Sequence, residues 1–240
     1  MTLIHLSELL LFAFCFLLGS VPWGVIISRV FYKRDIRQSG SGNIGSTNAL
    51  RTLGKRGGAA VFLLDFGKGL ASGLIALWVA NVLQNALFDG TPGALAVGYS
   101  MYLDGENAQL AGAGVIQRTC LVIAFMAPTL GHIFSPWLKF KGGKGIAVAI
   151  GALFVTFGVG GALVELAVFA VVVALTRYVS AGSIAAAAVC PFIALVVYWG
   201  HPLAILGCTV TALVVIWAHR GNIQRLSRGT ESKLGQKAGA

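Results

Sequence analysis

Residues 7–37 read SELLLFAFCFLLGSVPWGVIISRVFYKRDIR, an apolar run of twenty-four residues from Ser7 to Val30 with Arg29, Lys33, Arg34 and Arg37 gathered at its end. A bilayer is spanned by roughly 20 apolar residues in a helix, each rising 1.5 Å. The run is long enough. Residues 1–18 contain no Lys or Arg but do contain Glu8. A secretory leader carries its positive charge ahead of the apolar segment, so no cleaved leader is expected. Positive charge behind the run predicts an N-terminus outside and a first helix running inward.

Further apolar stretches lie at 58–83, 114–135, 181–200 and 203–219. The stretch 145–178 is too long for one passage and is broken by Gly158, Gly160 and Gly161, which divides it into 145–157 and 161–178. The first part, at 13 residues, reaches only about 20 Å and predicts a tilted, partial or locally thinned passage. Seven helices follow. Loop charge tests that number, because cytoplasmic loops concentrate Lys and Arg. Seven basic residues lie in 29–56, three in 139–144, one at Arg177 and five after His219, which is sixteen of the eighteen in the chain. All four segments fall on one side of a seven-helix arrangement, leaving Arg118 outside and Lys68 within a helix. Six helices would put the first basic loop or the basic tail outside. Odd parity is therefore expected, with five helices the alternative if the divided stretch does not fully cross.

Composition agrees. The 240 residues are 57% hydrophobic and 11% charged, against about 25% charged in soluble domains. The expected fold is an all-α polytopic membrane protein, a seven-helix bundle with one short helix, N-terminus outside and C-terminus cytoplasmic. Residues 1–240 form one membrane-embedded domain, with 84–113 an extracytoplasmic loop and 220–240 a cytoplasmic tail. The net charge of +10 reports topology first, and no nucleic-acid partner is expected. Cys15, Cys120, Cys190 and Cys208 sit in apolar runs without CxxC spacing, so neither metal nor disulfide is expected.

Three inner segments carry chemistry. The first, 39–51, reads SGSGNIGSTNALR. Its glycines, including Gly42, permit tight turns with accessible amides; Ser41, Asn43, Thr47 and Asn48 add polar side chains, and Arg51 adds a planar fork suited to phosphate. Residues 40–45 match GxGxxG, but a membrane helix and a basic turn precede them where a dinucleotide site needs a strand. The second, 131–145, reads GHIFSPWLKFKGGKG and places Lys144 between glycines ahead of a helix, where free amides and the helix dipole favour an anion. Leu138 and Gly145 exclude a Walker loop. The third, 219–233, reads HRGNIQRLSRGTESK.

In this order the three segments resemble the PlsY family, the bacterial acyl-phosphate:glycerol-3-phosphate acyltransferases. The resemblance runs from Ser41 to Arg51, with Ser46 where the family usually has Ala, from Gly131 to Gly145, and from Arg220 to Glu231; Asp65 and Lys68 resemble its Asp-x-x-Lys-Gly segment. It covers nearly the whole chain, interrupted by the loop 84–113, which is longer than is usual. It implies acyl transfer from an acyl phosphate to the 1-hydroxyl of glycerol 3-phosphate at the inner face of a bacterial cytoplasmic membrane. Those two substrates and membrane lipids are the partners it implies, with no cofactor and a monomer expected. By motif match Ser41, Arg51, Lys144 and Asn222 form the catalytic set. Gly42, Asn43, Thr47 and Asn48 shape the loop or hold the second phosphate, with Lys139, His219 and Arg220 as supporting contacts.

The base is open. The His-x-x-x-x-Asp pair of soluble acyltransferases is missing, since Trp137 stands five residues after His132. His132 and His219 both lie near the right face, and either could accept a proton or simply pack. An acyl phosphate is already activated, which favours positioning and charge neutralisation with a substrate phosphate oxygen taking the proton. Asp65 and Lys68, three apart on a helix, are expected to pair, because a lone charge at mid-bilayer costs roughly 2.5–3.5 kcal/mol. Glu165 has no evident partner. A transporter of phosphate or a small organic anion is the rival reading, but it predicts a midplane site and internal symmetry, whereas these motifs crowd one face. A lipid-binding scaffold needs basic clusters but not the glycine-rich motifs.

Overall fold

The computed structural model describes residues 2–87 and 108–236, and its regular structure there is entirely helical. The first apolar run folds as two helices, α1 (Thr2–Ser20) and α2 (Trp23–Tyr32). Pro22 causes the break, having no N–H to donate and disfavouring helical geometry at Val21. α3 (Ser46–Leu87) starts twelve residues earlier than its apolar stretch predicts, with a kink at Gly54 (φ 82°). The segment 46–53 is therefore helix rather than loop, carried by Ala49, Leu50 and Arg51, all good helix formers. α4 spans Ala108–Ile133, α5 Ile146–Thr156 and α6 Gly158–Thr176. The expected break in 145–178 falls at Gly158, whose φ of 68° lets α6 begin at once. α7 (Val179–Val197), α8 (Pro202–Ala218) and α9 (Arg220–Ser227) complete the order.

Among the described residues, five segments are long and apolar enough to cross a membrane: Leu3–Tyr32, Ser46–Leu87, Gly114–Leu138, Gly158–Thr176 and Val179–Val197. A sixth results if α8 and α9, bent by 53°, count as one span. α5 has 11 residues and so is about 16 Å long, well short of a bilayer core. The expected outer loop 84–113 is shortened at both ends, since 84–87 continue α3 and 108–113 open α4; residues 88–107 lie outside the described residues. Within the expected tail, 220–227 is helical and Glu231 is buried.

The packing places α5 across α3. A Cβ on Gly69 would fall 2.0 Å from the Val148 carbonyl oxygen, and one on Gly151 2.0 Å from that of Phe66. Only glycine lets the two backbones come so close. That contact lays Phe62, Asp65 and Phe66 of α3 beside Ile150 and Phe154 of α5. α1 packs on α4, and α7 lies between α6 and α8. α6 is peripheral and exposes Val159, Leu163, Val164, Val171 and Leu175, as a lipid-facing helix does.

Candidate active site

The loop between α2 and α3 is anchored by two apolar side chains. Ile36 and Ile44 are fully buried with Val25, Ile27, Leu53 and Val61, which fixes both ends of a polar segment. Asn48 fixes the middle. Its amide nitrogen donates to the carbonyls of Ile36 (3.1 Å), Ser39 (3.1 Å) and Asn43 (2.8 Å), and its Oδ1 accepts from the Ser41 N–H at 2.9 Å. The Asn43 Oδ1 accepts from the Gly45 N–H at 2.8 Å, and Gly42 takes φ 70°. This wiring delivers Ser41 and the first turn of α3 to one wall of a cavity.

The second loop is tied to the end of α4, with the Gly142 N–H donating to the Ile133 carbonyl and the Gly143 N–H to that of His132, both at 3.0 Å. Beneath it the imidazole of His132 is held in turn. Its Nδ1 lies 3.0 Å from the Lys68 Nζ, which also donates to the Val21 carbonyl at 2.9 Å and pairs with Asp65 at 3.0 Å. The expected Asp65–Lys68 pair is present, and it extends into a buried cluster with His132. A Cβ on Gly143 would meet the His132 Nε2 at 2.1 Å, so the loop rests directly on this ring. Gly145, at φ 79°, then turns the chain into α5 just after Lys144.

The third segment folds back after α8. The His219 Nδ1 faces the Val215 carbonyl at 2.8 Å, so that nitrogen carries the hydrogen and Nε2 is the acceptor. Glu231 closes the arrangement. Its Oε1 accepts from the Ser180 hydroxyl (2.8 Å) and the Asn222 amide (2.7 Å), and its Oε2 accepts from the Arg225 Nε at 2.6 Å. Burial pushes the Glu231 carboxyl up, but the hydrogen bonds from Ser180, Asn222 and Arg225 outweigh it and hold it below its ordinary range. Arg51 reaches this segment from α3, donating to the Ser232 carbonyl at 3.2 Å.

These three segments enclose one cavity of about 510 Å³. Ser41, Asn43, Thr47, Asn48 and Arg51 line it from α3 and the preceding loop. Lys144, His132, His219 and Asn222 line it from the other two segments. Burial, aided by the nearby charges of Arg225 and Arg51 and opposed by that of Glu231, lowers Lys144 to about 8. The first turns of α3 and α5 both reach the cavity, through Ser46 and Thr47 and through Ile146 and Ala147. Two helix N-termini therefore bring unpaired amides and their positive dipole ends to the same place, an arrangement suited to phosphate. Opposite this polar floor the walls are apolar, formed by Phe62, Phe66, Ile150, Phe154, Leu166 and Phe169.

Gly42, Lys139 and Arg220 do not line the cavity. Gly42 acts through its backbone turn. Lys139 stands in a left-handed turn that ends the short helical turn Pro136–Leu138. Arg220 lies 4.1 Å over the Trp217 ring and donates to the Trp217 carbonyl. Conversely, the sequence reading left Glu231 and Ser180 without a site role. The signal for Glu231 is that it is the single acidic residue beyond Glu165 in an otherwise basic tail; nothing local marks Ser180.

The chain has close relatives. A profile of the family described as glycerol-3-phosphate acyltransferase matches residues 9–229. A glycerol-3-phosphate acyltransferase of Rhodopseudomonas palustris (strain BisB5) is 40% identical over 223 residues, 92% of this chain and 93% of its own length. That of Nitrobacter winogradskyi is 38% identical over 233 residues, 97% and 98% respectively. Among solved structures, PlsY (YgiH), an integral membrane glycerol 3-phosphate acyltransferase, superposes in its glycerol 3-phosphate form with a TM-score of 0.73 at 32% identity, covering 95% of this chain and 96% of that one. Its lysophosphatidic acid form gives 0.69 at 31% identity over the same shares.

Proposed function

The chain belongs to the glycerol-3-phosphate acyltransferase family, and from that premise we propose that its cavity transfers a fatty acyl group from an acyl phosphate to the 1-hydroxyl of glycerol 3-phosphate. It is a multi-pass membrane enzyme that acylates glycerol 3-phosphate. The acyl-phosphate donor, the roles of individual residues and the orientation in the membrane are the proposal. One observation carries it: a single cavity joins a cationic, amide-rich floor to apolar walls. Such a site meets a water-soluble phosphate ester and a membrane-bound acyl chain together. A long chain gains about 0.8 kcal/mol per buried CH₂, so its donor stays in the bilayer.

Ser41, Arg51, Lys144 and Asn222 hold the glycerol phosphate, with Asn222 oriented by Glu231. The amides at the starts of α3 and α5, with Thr47, receive the donor phosphate; Asn43 and Asn48 keep that loop in shape. The substrate hydroxyl oxygen attacks the acyl carbonyl carbon, the carbon–oxygen bond to phosphate breaks, and inorganic phosphate leaves with the hydroxyl proton on one of its oxygens. Charge neutralisation by Arg51 and Lys144 supplies the main stabilisation. His132 is a positioning residue, because Lys68 occupies its Nδ1 and the Gly143 backbone covers its Nε2. His219, with Nε2 free of the Val215 contact, accepts a hydrogen bond at the substrate. Seven membrane passages with the short α5 as the partial one, a cytoplasmic floor and residence in a bacterial inner membrane complete the reading, supported by the loop charges.

The test is lysophosphatidic acid formation by the purified protein in lipid, from radiolabelled glycerol 3-phosphate with palmitoyl phosphate or palmitoyl-CoA. Product from palmitoyl phosphate alone is expected. Product from palmitoyl-CoA alone overturns the donor.

A further inference from the structure

Glu165 plays no part in the polar floor. It lies on α6, eleven residues before that helix ends at Thr176, which is about 16 Å by helical rise. It is only 5% exposed. The Cys190 thiol lies near its carboxyl, yet its Oε1 has no hydrogen-bond partner among the described residues. A carboxyl buried in the apolar depth of a membrane protein is costly to keep, and an unmet oxygen there calls for an occupant.

The place for that occupant is a second, smaller cavity of about 40 Å³. Phe125, Leu153, Ala186, Cys190 and Ala212 line it, with Glu165 as its carboxylic acid. Ile146, Ile150, Leu166, Phe169 and Ser183 line both cavities. The smaller space therefore adjoins the larger one and is taken as its side branch, beside the apolar wall assigned to the acyl chain. Because a buried water needs at least about 10–15 Å³ on the same measure, the branch fits a substituent of one or two heavy atoms but no second chain.

We propose that this branch is a subsite for a hydroxyl group carried on the donor's acyl chain, with Glu165 as its hydrogen-bond partner; the proposal rests on the acyl-phosphate reading above. A branch lined only by Phe, Leu and Ala takes a methyl group as readily as a hydroxyl. A carboxyl oxygen lacking a protein partner reverses that, because an unsubstituted chain offers it nothing and leaves the space to a water at best. The depth of Glu165 along α6 sets the position of the hydroxyl in the middle of a long chain, away from the reacting carbonyl.

The experiment compares kcat/KM of the purified full chain in lipid for three donors: stearoyl phosphate, its mid-chain hydroxy derivative and its hydroxy derivative next to the carbonyl. The mid-chain hydroxy donor is expected to be preferred about tenfold over the unsubstituted one, the size of one good buried hydrogen bond. The derivative hydroxylated next to the carbonyl gains nothing. Glu165→Leu brings the preference close to one, and Glu165→Gln, which keeps both hydrogen-bonding functions, retains most of it. Equal kcat/KM in the unaltered protein, or a preference that survives Glu165→Leu, overturns the subsite while leaving acyl-phosphate transfer intact. Failure to turn over any acyl phosphate overturns the donor reading and the subsite with it.

Discussion

Asn48 and Glu231 hold opposite sides of the same cavity, and they do so by different physics. Asn48 is neutral and makes its four hydrogen bonds to the backbone of a single segment, from Ile36 to Asn43. Glu231 is charged and gathers side chains from α7 and α9: Ser180, Asn222 and Arg225. The first builds a loop; the second joins elements. Losing Asn48 strands several buried backbone groups at once, whereas losing a Glu231 partner removes one bond from a network that keeps the others.

The largest effect then belongs to Asn48→Ala. It is expected to lower kcat/KM for glycerol 3-phosphate at least about a hundredfold and to lower the thermal midpoint in lipid, as the loss of several buried hydrogen bonds at about 1 kcal/mol each implies. Normal activity in this variant would break the comparison. Glu231→Gln keeps the shape but loses charge, and a drop of roughly ten- to a hundredfold is expected from the weakened bond to Arg225. The same carboxylate gives a pH dependence. Its lowered pKa means that its contribution to stability is present at neutral pH and is lost as pH falls through that lowered value, which an acid melting series in lipid measures.

Lys144 sharpens the comparison from the alkaline side. With its pKa lowered to about 8, the free enzyme loses that charge as pH rises through 8. The kcat/KM profile for glycerol 3-phosphate should fall above that value, and Lys144→Arg should remove that limb while lowering the plateau, since a fork does not replace a point charge. Ser180→Ala removes one of three bonds to Glu231 and is expected to lower kcat/KM about two- to tenfold. Smallest of all, Arg220→Ala should change kcat/KM by roughly twofold or less, because its contact with Trp217 lies outside the cavity and such a contact is worth about 0.5–1 kcal/mol to local packing. A large loss there would return Arg220 to the substrate.

How much was legible varies by residue. Ser41, Arg51 and Lys144 announce themselves, because polar and basic groups among glycines between apolar runs have few structural reasons to be there. Asn48 was visible as part of the motif, but its saturation by four backbone contacts was not. Lys139 and Arg220 read in sequence as supporting contacts beside Lys144. The left-handed turn at Lys139 and the Trp217 ring beneath Arg220 set them apart, and neither is encoded in local composition.

The sequence by itself determined the class of molecule, the placing of its apolar helices and the chemistry of the three segments, because hydropathy and local residue types act over a few turns of chain. Only the tertiary structure decided which of those groups meet. Lys68 reaches His132 across 64 residues, Ser180 reaches Glu231 across 51, and Arg51 reaches Ser232 across 181. Helix packing creates such partnerships, and the close backbone crossing of α3 and α5 sets where the polar floor faces its apolar wall.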